Sequence, residues 1–133
     1  MLFRSFLVSS ELICVVAQRL LRLLCPKCKE PYAPDASLLA RMKLPAADKP
    51  AAFYREKGCP ECRQTGYAGR IGIFEMLIPD EDIRRLIEKK ASAAEIRAVA
   101  TQKGMFSLRQ DGAQKVAKGL TSVSELLRVS QEP

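Results

Sequence analysis

Two cysteine pairs constrain this chain more than any other feature. C-P-K-C occupies residues 25–28 and C-P-E-C residues 59–62, so thirty residues separate one C-x2-C turn from the other. That spacing suits a tetrahedral metal site in which each turn presents two sulfurs to one ion. Four protein ligands leave no position open for substrate or water, so such a site stabilises a fold and carries out no reaction. A structural zinc ion held by Cys25, Cys28, Cys59 and Cys62 is the leading reading, with an iron centre or a pair of disulfides as alternatives. Pro26 and Pro60 set the turn after the first cysteine of each pair, and amides after the second can point at the sulfurs. Lys27, Lys29 and Arg63 lie next to the ligands in sequence, where they would offset the charge of four thiolates around one divalent ion. The fifth cysteine, Cys14, falls in an apolar run and reads as a small buried hydrophobe.

A chain of 133 residues, 47% apolar, has enough material for one domain or two small lobes. Its most hydrophobic segment is interrupted by Glu11, Arg19 and Arg22, so no run approaches the roughly 20 residues needed to span a bilayer. The first 17 residues resemble a signal peptide superficially, but Glu11 in mid-run argues against that reading. Net charge is +7, yet it is thinly spread: 5 basic and 2 acidic groups in 1–34, 7 and 5 in 35–78, 10 and 8 in 79–133. With no basic stripe, 8 aromatic residues and no Trp, the sequence offers little to nucleic acid, and no nucleic-acid partner is expected.

Periodicity predicts a short strand at Phe6–Val8 and then a helix with Ile13, Val16, Ala17, Leu20, Leu21 and Leu24 on one face and Gln18, Arg19 and Arg22 on the other. Asp35 is placed to cap a short helix carrying Leu38, Leu39 and Met42, and 45–52 reads as a loop. Extended chain is expected from Phe53 and again through 70–75, where Ile71 and Ile73 share a face. Four helices follow, announced by Asp80, by the S-x-x-E box at Ser92–Glu95, by Ser107–Gln110, and by Thr121 or Ser122, with Gly104 and Gly119 as stops. Asp80, Glu81 and Asp82 suit the positive end of a helix dipole. The class is therefore α+β, mainly helical.

No catalytic residue is predicted: the chain has no His, no G-x-x-x-x-G-K-[ST] phosphate loop, and no nucleophile with an evident base.

Several stretches together resemble one family. Phe6-Leu7-Val8-Ser9-Ser10, Ala17-Gln18-Arg19-Leu20, the two cysteine turns with Pro31-Tyr32 after the first, Thr65-Gly66-Tyr67-Ala68-Gly69-Arg70 leading into Ile71-Gly72-Ile73-Phe74-Glu75, Gly104-Met105, Leu108-Arg109-Gln110-Asp111-Gly112 and Leu126-Leu127-Arg128-Val129 fall in the order found in the C-terminal portion of type II secretion traffic ATPases. Type IV pilus assembly ATPases share most of them. Residues 1–5 do not match, and Ile13-Cys14 stands where the family often has a glycine.

The resemblance implies that 1–24 is the tail of a RecA-like ATPase core, 25–78 a zinc lobe with flanking strands, and 79–133 a C-terminal helical subdomain. It also implies a hexameric cytoplasmic motor that uses ATP and Mg2+ bound elsewhere in the parent. Its partners would be neighbouring subunits and an inner-membrane platform. This chain alone would not hydrolyse ATP. A free-standing zinc-ribbon nucleic-acid binder is the competing reading, and an exported disulfide protein a third.

Overall fold

The computed structural model describes residues 5–42 and 52–130. The loop expected over 45–52 lies almost wholly outside the described residues. Element order is α1 (Ser5–Glu11), β1 (Val15–Leu24), β2 (Glu30–Tyr32), α2 (Ala36–Met42), β3 (Phe53–Arg55), β4 (Tyr67–Leu77), α3 (Glu81–Glu88), α4 (Ala93–Gln102), α5 (Leu108–Ala117) and α6 (Val123–Val129). β1 and β4 form one two-stranded sheet. β2 and β3 form another, antiparallel, with Pro31 opposite Tyr54. None of the described helices is long and apolar enough to cross a membrane.

The first two elements reverse the order expected from the sequence. Residues 5–11 are helical, and 15–24 are a strand where a helix was expected. The residues that suggested a 3.6-residue repeat also satisfy a strand: Val16 is β-branched, and Leu21 and Leu24 are buried at 0% and 4% exposure. Pairing with β4 decides between the two conformations. The apolar strand edge expected at 6–8 is therefore not present. Cys14 is also corrected. It sits between α1 and β1 and is exposed.

The described residues divide into two compact units. The first takes 5–17 and 75–107, the second 18–42, 52–74 and 108–130. In the first unit α1 packs on α3, with Ile83 and Ala100 buried. The Arg84 guanidinium donates to the carbonyls of Ser9 and Leu12, and Ser9 Oγ donates to Glu88 at 3.0 Å. The helix starts follow the predicted caps: Asp80 accepts the Ile83 amide at 3.0 Å and Ser92 the Glu95 amide at 3.2 Å.

The second unit holds the larger core. Leu21 of β1, Met42 of α2, Phe53 of β3 and Ile73 of β4 meet Ala113, Val116, Val123, Leu126 and Leu127 of the last two helices. Ile71 packs against the same cluster, on the face it shares with Ile73. Ser122 caps α6 by accepting the Glu125 amide at 3.1 Å. The four C-terminal helices expected from the caps are all present, but they divide, α3 and α4 to the first unit and α5 and α6 to the second.

Candidate metal centre

The two cysteine turns lie at the ends of extended segments. β1 delivers Cys25, the next residue after Leu24, and the turn closes with the Lys29 amide on Cys25 O at 3.0 Å. The second turn is a single 3-10 turn, Pro60–Cys62, ending where Arg63 and Gln64 both adopt left-handed backbone, φ 56° and 64°. Such a conformation costs about 1–2 kcal/mol per residue for side chains other than glycine. Here it folds the chain back, so that Gln64 N reaches Cys59 O at 2.9 Å and Thr65 N reaches Cys62 O at 3.2 Å. Gly66 follows at φ 81°, where a Cβ would stand 2.3 Å from Glu56 Cβ, so only glycine fits. Its amide donates to Cys62 Sγ at 3.1 Å and its carbonyl accepts the Cys25 amide at 2.9 Å, tying one cysteine pair to the other.

All four sulfurs lie within 4.8 Å of one another. The separations are 3.8 Å for Cys25–Cys59, 3.8 Å for Cys28–Cys62 and 3.6 Å for Cys59–Cys62. Sulfurs at ~2.3 Å from one ion at tetrahedral angles stand about 3.8 Å apart. A disulfide needs ~2.05 Å, and all four cysteines are free. The residues therefore fit a closed tetrahedral ion, and the cluster is compatible with zinc binding. Cys25 and Cys62 are buried, Cys28 and Cys59 partly so.

Amides supply the polarity around this cluster. The Gly58 amide donates to Cys28 Sγ at 3.3 Å and the Cys59 amide to Cys62 Sγ at 3.3 Å, beside the bond from Gly66. The Lys29 ammonium, next to Cys28 in sequence, donates to Gly119 O at 2.9 Å and lies 4.8 Å from the Tyr54 ring centre. Lys27 and Arg63 are exposed. Burial opposes the Cys62 thiolate, but the amides of Cys59 and Gly66 and the thiols of Cys59 and Cys28 outweigh it and bring the group down to about 6. At Cys59 the Cys62 backbone favours the thiolate, yet burial and the sulfurs of Cys62 and Cys25 prevail, and the thiol is pushed up to about 11. A divalent ion would hold all four as thiolates.

A second cluster lies beyond the reach of the sequence reading. Glu125 of α6 has a fully buried side chain and accepts from Arg22 N at 2.8 Å, Arg22 Nη2 at 3.0 Å and Arg128 Nε at 2.9 Å. Arg22 also stacks on Tyr67, 4.2 Å from the ring centre. Gln18 and Arg19 are exposed on β1, where Arg19 Nη1 donates to Gln18 O at 2.8 Å.

The fold and the sulfur cluster define a four-cysteine module that could hold a metal ion, a cysteine lobe anchored on a small mixed core. The chain belongs to the family described as Type II/IV secretion system protein, whose sequence model matches residues 1–128. The motif resemblance is thereby borne out. The Type II secretion system protein E of Pseudomonas aeruginosa is 46% identical over 128 residues, covering 96% of this chain and 25% of that protein. The Type II secretion system ATPase E of Vibrio cholerae is 45% identical over 131 residues, with 96% and 25% covered. The Type IV pilus assembly ATPase PilB of Thermus thermophilus is 42% identical over 123 residues, with 92% and 14% covered. The chain thus spans a quarter or less of the length of these relatives.

Proposed function

We propose that this chain is the C-terminal zinc-binding and helical region of an ATPase that drives pseudopilus or pilus assembly and protein export. Cys25, Cys28, Cys59 and Cys62 ligate one structural Zn2+. The observation that carries this reading is a four-sulfur cluster of tetrahedral dimensions within a sequence that matches the secretion family from residue 1 to 128. Residues 1–24 are read as the tail of a RecA-like core, 25–78 as the zinc lobe with its flanking strands, and 79–133 as the helical region. ATP and Mg2+ belong to the rest of the parent, which works as a cytoplasmic hexamer against an inner-membrane platform. The role of the lobe is mechanical. A closed metal site keeps a small unit rigid, so that motion in the core passes to a partner and is not lost in local unfolding.

A free-standing nucleic-acid ribbon gains no support. Arg22, Arg55, Arg97 and Arg128 are each ion-paired with a carboxylate, which leaves less free charge for phosphates.

The test is elemental analysis of protein purified without added metal, with thiol titration before and after a chelator. One zinc per chain, with four thiols freed on its removal, supports the reading; no metal and no free thiols at these four positions refutes it. The isolated chain should not hydrolyse ATP, and robust turnover would overturn that part. In the full-length parent, Cys59→Ser should abolish assembly.

A further inference from the structure

Three residues that border the sulfur cluster reach the same short segment of chain. Leu24, which precedes Cys25, donates its amide to Leu120 O at 2.8 Å. Lys29, which follows Cys28, donates Nζ to Gly119 O at 2.9 Å. Tyr67 follows Gly66, whose amide is 3.1 Å from Cys62 Sγ, and its hydroxyl meets Ser122 Oγ at 2.8 Å. The receiving segment, 119–122, joins α5 to α6, and Ser122 is the N-cap of α6. Each strap begins one residue from a ligand or from the glycine that bonds one, and all three lie within one unit.

We infer that metal occupancy latches this corner, so that the 119–122 turn and the N-cap of α6 are held when the ion is bound and loosened when it is removed, while the buried face of α6 stays in the core. The inference rests on the metal reading above. Hydrogen bonds of this kind are individually weak, and they hold a segment only if their donors are already fixed in place. Leu24 closes β1 and Tyr67 opens β4, strands that pair with each other, and Lys29 follows the first cysteine turn; beyond that pairing the turns are joined by the Cys25 amide on Gly66 O at 2.9 Å, by two three-residue strands and by contacts among sulfurs and amides. Strands that short do not hold a lobe without help. With the ion gone the turns relax, the three groups lose their common orientation, and the start of α6 loosens. α3 and α4 belong to the other compact unit and make none of these bonds, so they keep their protection.

Hydrogen exchange on the full 133-residue chain tests this, zinc-loaded and after a chelator, with metal content measured on the same samples. Amides in 119–125 should exchange at least about tenfold faster without metal, while 81–102 is unchanged. Lys29→Met should still bind one metal, yet exchange at 119–122 should move toward the metal-free rate. Thr121→Val removes a strap that does not border the cluster, Thr121 Oγ1 to Arg22 O at 2.8 Å, and should speed α6 exchange by the same factor with and without metal. Identical exchange in loaded and stripped chain overturns the latch, as does acceleration of 81–102 in step with 119–125. If the chain neither holds nor takes up metal, the zinc reading fails and the latch with it; metal bound without a difference in exchange overturns the latch alone.

Discussion

Replacing Glu125 by Gln separates charge from shape at the most deeply placed carboxylate of the second unit. The side chain is fully buried, and its oxygens are shared between Arg22 and Arg128. Burial alone would push its pKa up, but the guanidiniums of Arg128 and Arg22 and the Arg22 amide outweigh it and bring the group from 4.5 to about 2. A difference of that size corresponds to about 3 kcal/mol of stability. Both guanidiniums are roughly half exposed, at 46% and 58%, so water screens them and about 2 kcal/mol is the better figure. Because the folded value lies below the unfolded one, this stability is complete above pH 4.5 and fades as pH falls toward 2. Glu125→Gln should therefore cost about 2 kcal/mol at pH 7, and the deficit should shrink by up to about 1.4 kcal/mol per pH unit below 4.5. Urea unfolding followed by tyrosine fluorescence reads the correct region, since Tyr32, Tyr54 and Tyr67 all lie in the second unit and the chain has no Trp. Comparing the two proteins at each pH cancels the thiol and metal contributions that both share. A deficit under about 0.5 kcal/mol at pH 7, or one that stays constant down to pH 3.5, would refute the ion-pair account.

Other substitutions test other parts. Gly112→Ala places a Cβ 2.2 Å from Leu126 Cδ1 in a filled core; overpacking of about 1–3 kcal/mol should exceed the ~1 kcal/mol gained in helix propensity, so the variant should melt earlier. Ser92→Ala removes the acceptor of the Glu95 amide and should cost about 1 kcal/mol, seen as faster exchange in the first turn of α4. Cys14 is exposed while the other four cysteines are gathered in one cluster. In the metal-loaded chain a thiol reagent should label Cys14 first, with the other four protected until a chelator is added.

The site was legible because its chemistry is local. Two C-x2-C turns name their own ligands, and thirty intervening residues are short enough for one ion to hold both. Helix starts at Asp80, Ser92 and Ser122 were legible for the same reason: an N-cap oxygen bonds an amide three residues on. The first 24 residues were not, because Val16, Ala17, Leu20, Leu21 and Leu24 satisfy a helical stripe as well as a strand that buries its later positions. What decides is β4, some fifty residues away, and no short window contains it. Glu125 illustrates the same limit. Ser122-Val123-Ser124-Glu125 has the S-x-x-E spacing of a capping box, and Ser122 does cap, but the Glu125 carboxylate goes to Arg22, 103 residues earlier in the chain.

A bound metal ion would supply what the lobe's short strands do not. β2 and β3 are three residues each and pair over three positions, while the core lies against α5 and α6 and not between the cysteine turns. Pairs that short are not stable alone, and the turn after Cys62 contains two residues in left-handed backbone that oppose the fold. What remains to hold the turns is a ring of amides around the sulfurs, at 3.1 to 3.3 Å, whose strength depends on the sulfurs being charged. Although the Cys62 backbone favours the Cys59 thiolate, burial and the sulfurs of Cys62 and Cys25 raise that thiol to about 11, which opposes charging all four sulfurs without an ion. A tetrahedral divalent ion would overcome this, because it holds each ligand as a thiolate and contributes on the order of 10 kcal/mol to folding. An ion bound there would let the turns and the metal support each other: it would hold the sulfurs as thiolates, and the thiolates would strengthen the amide bonds that keep the strained turn in place.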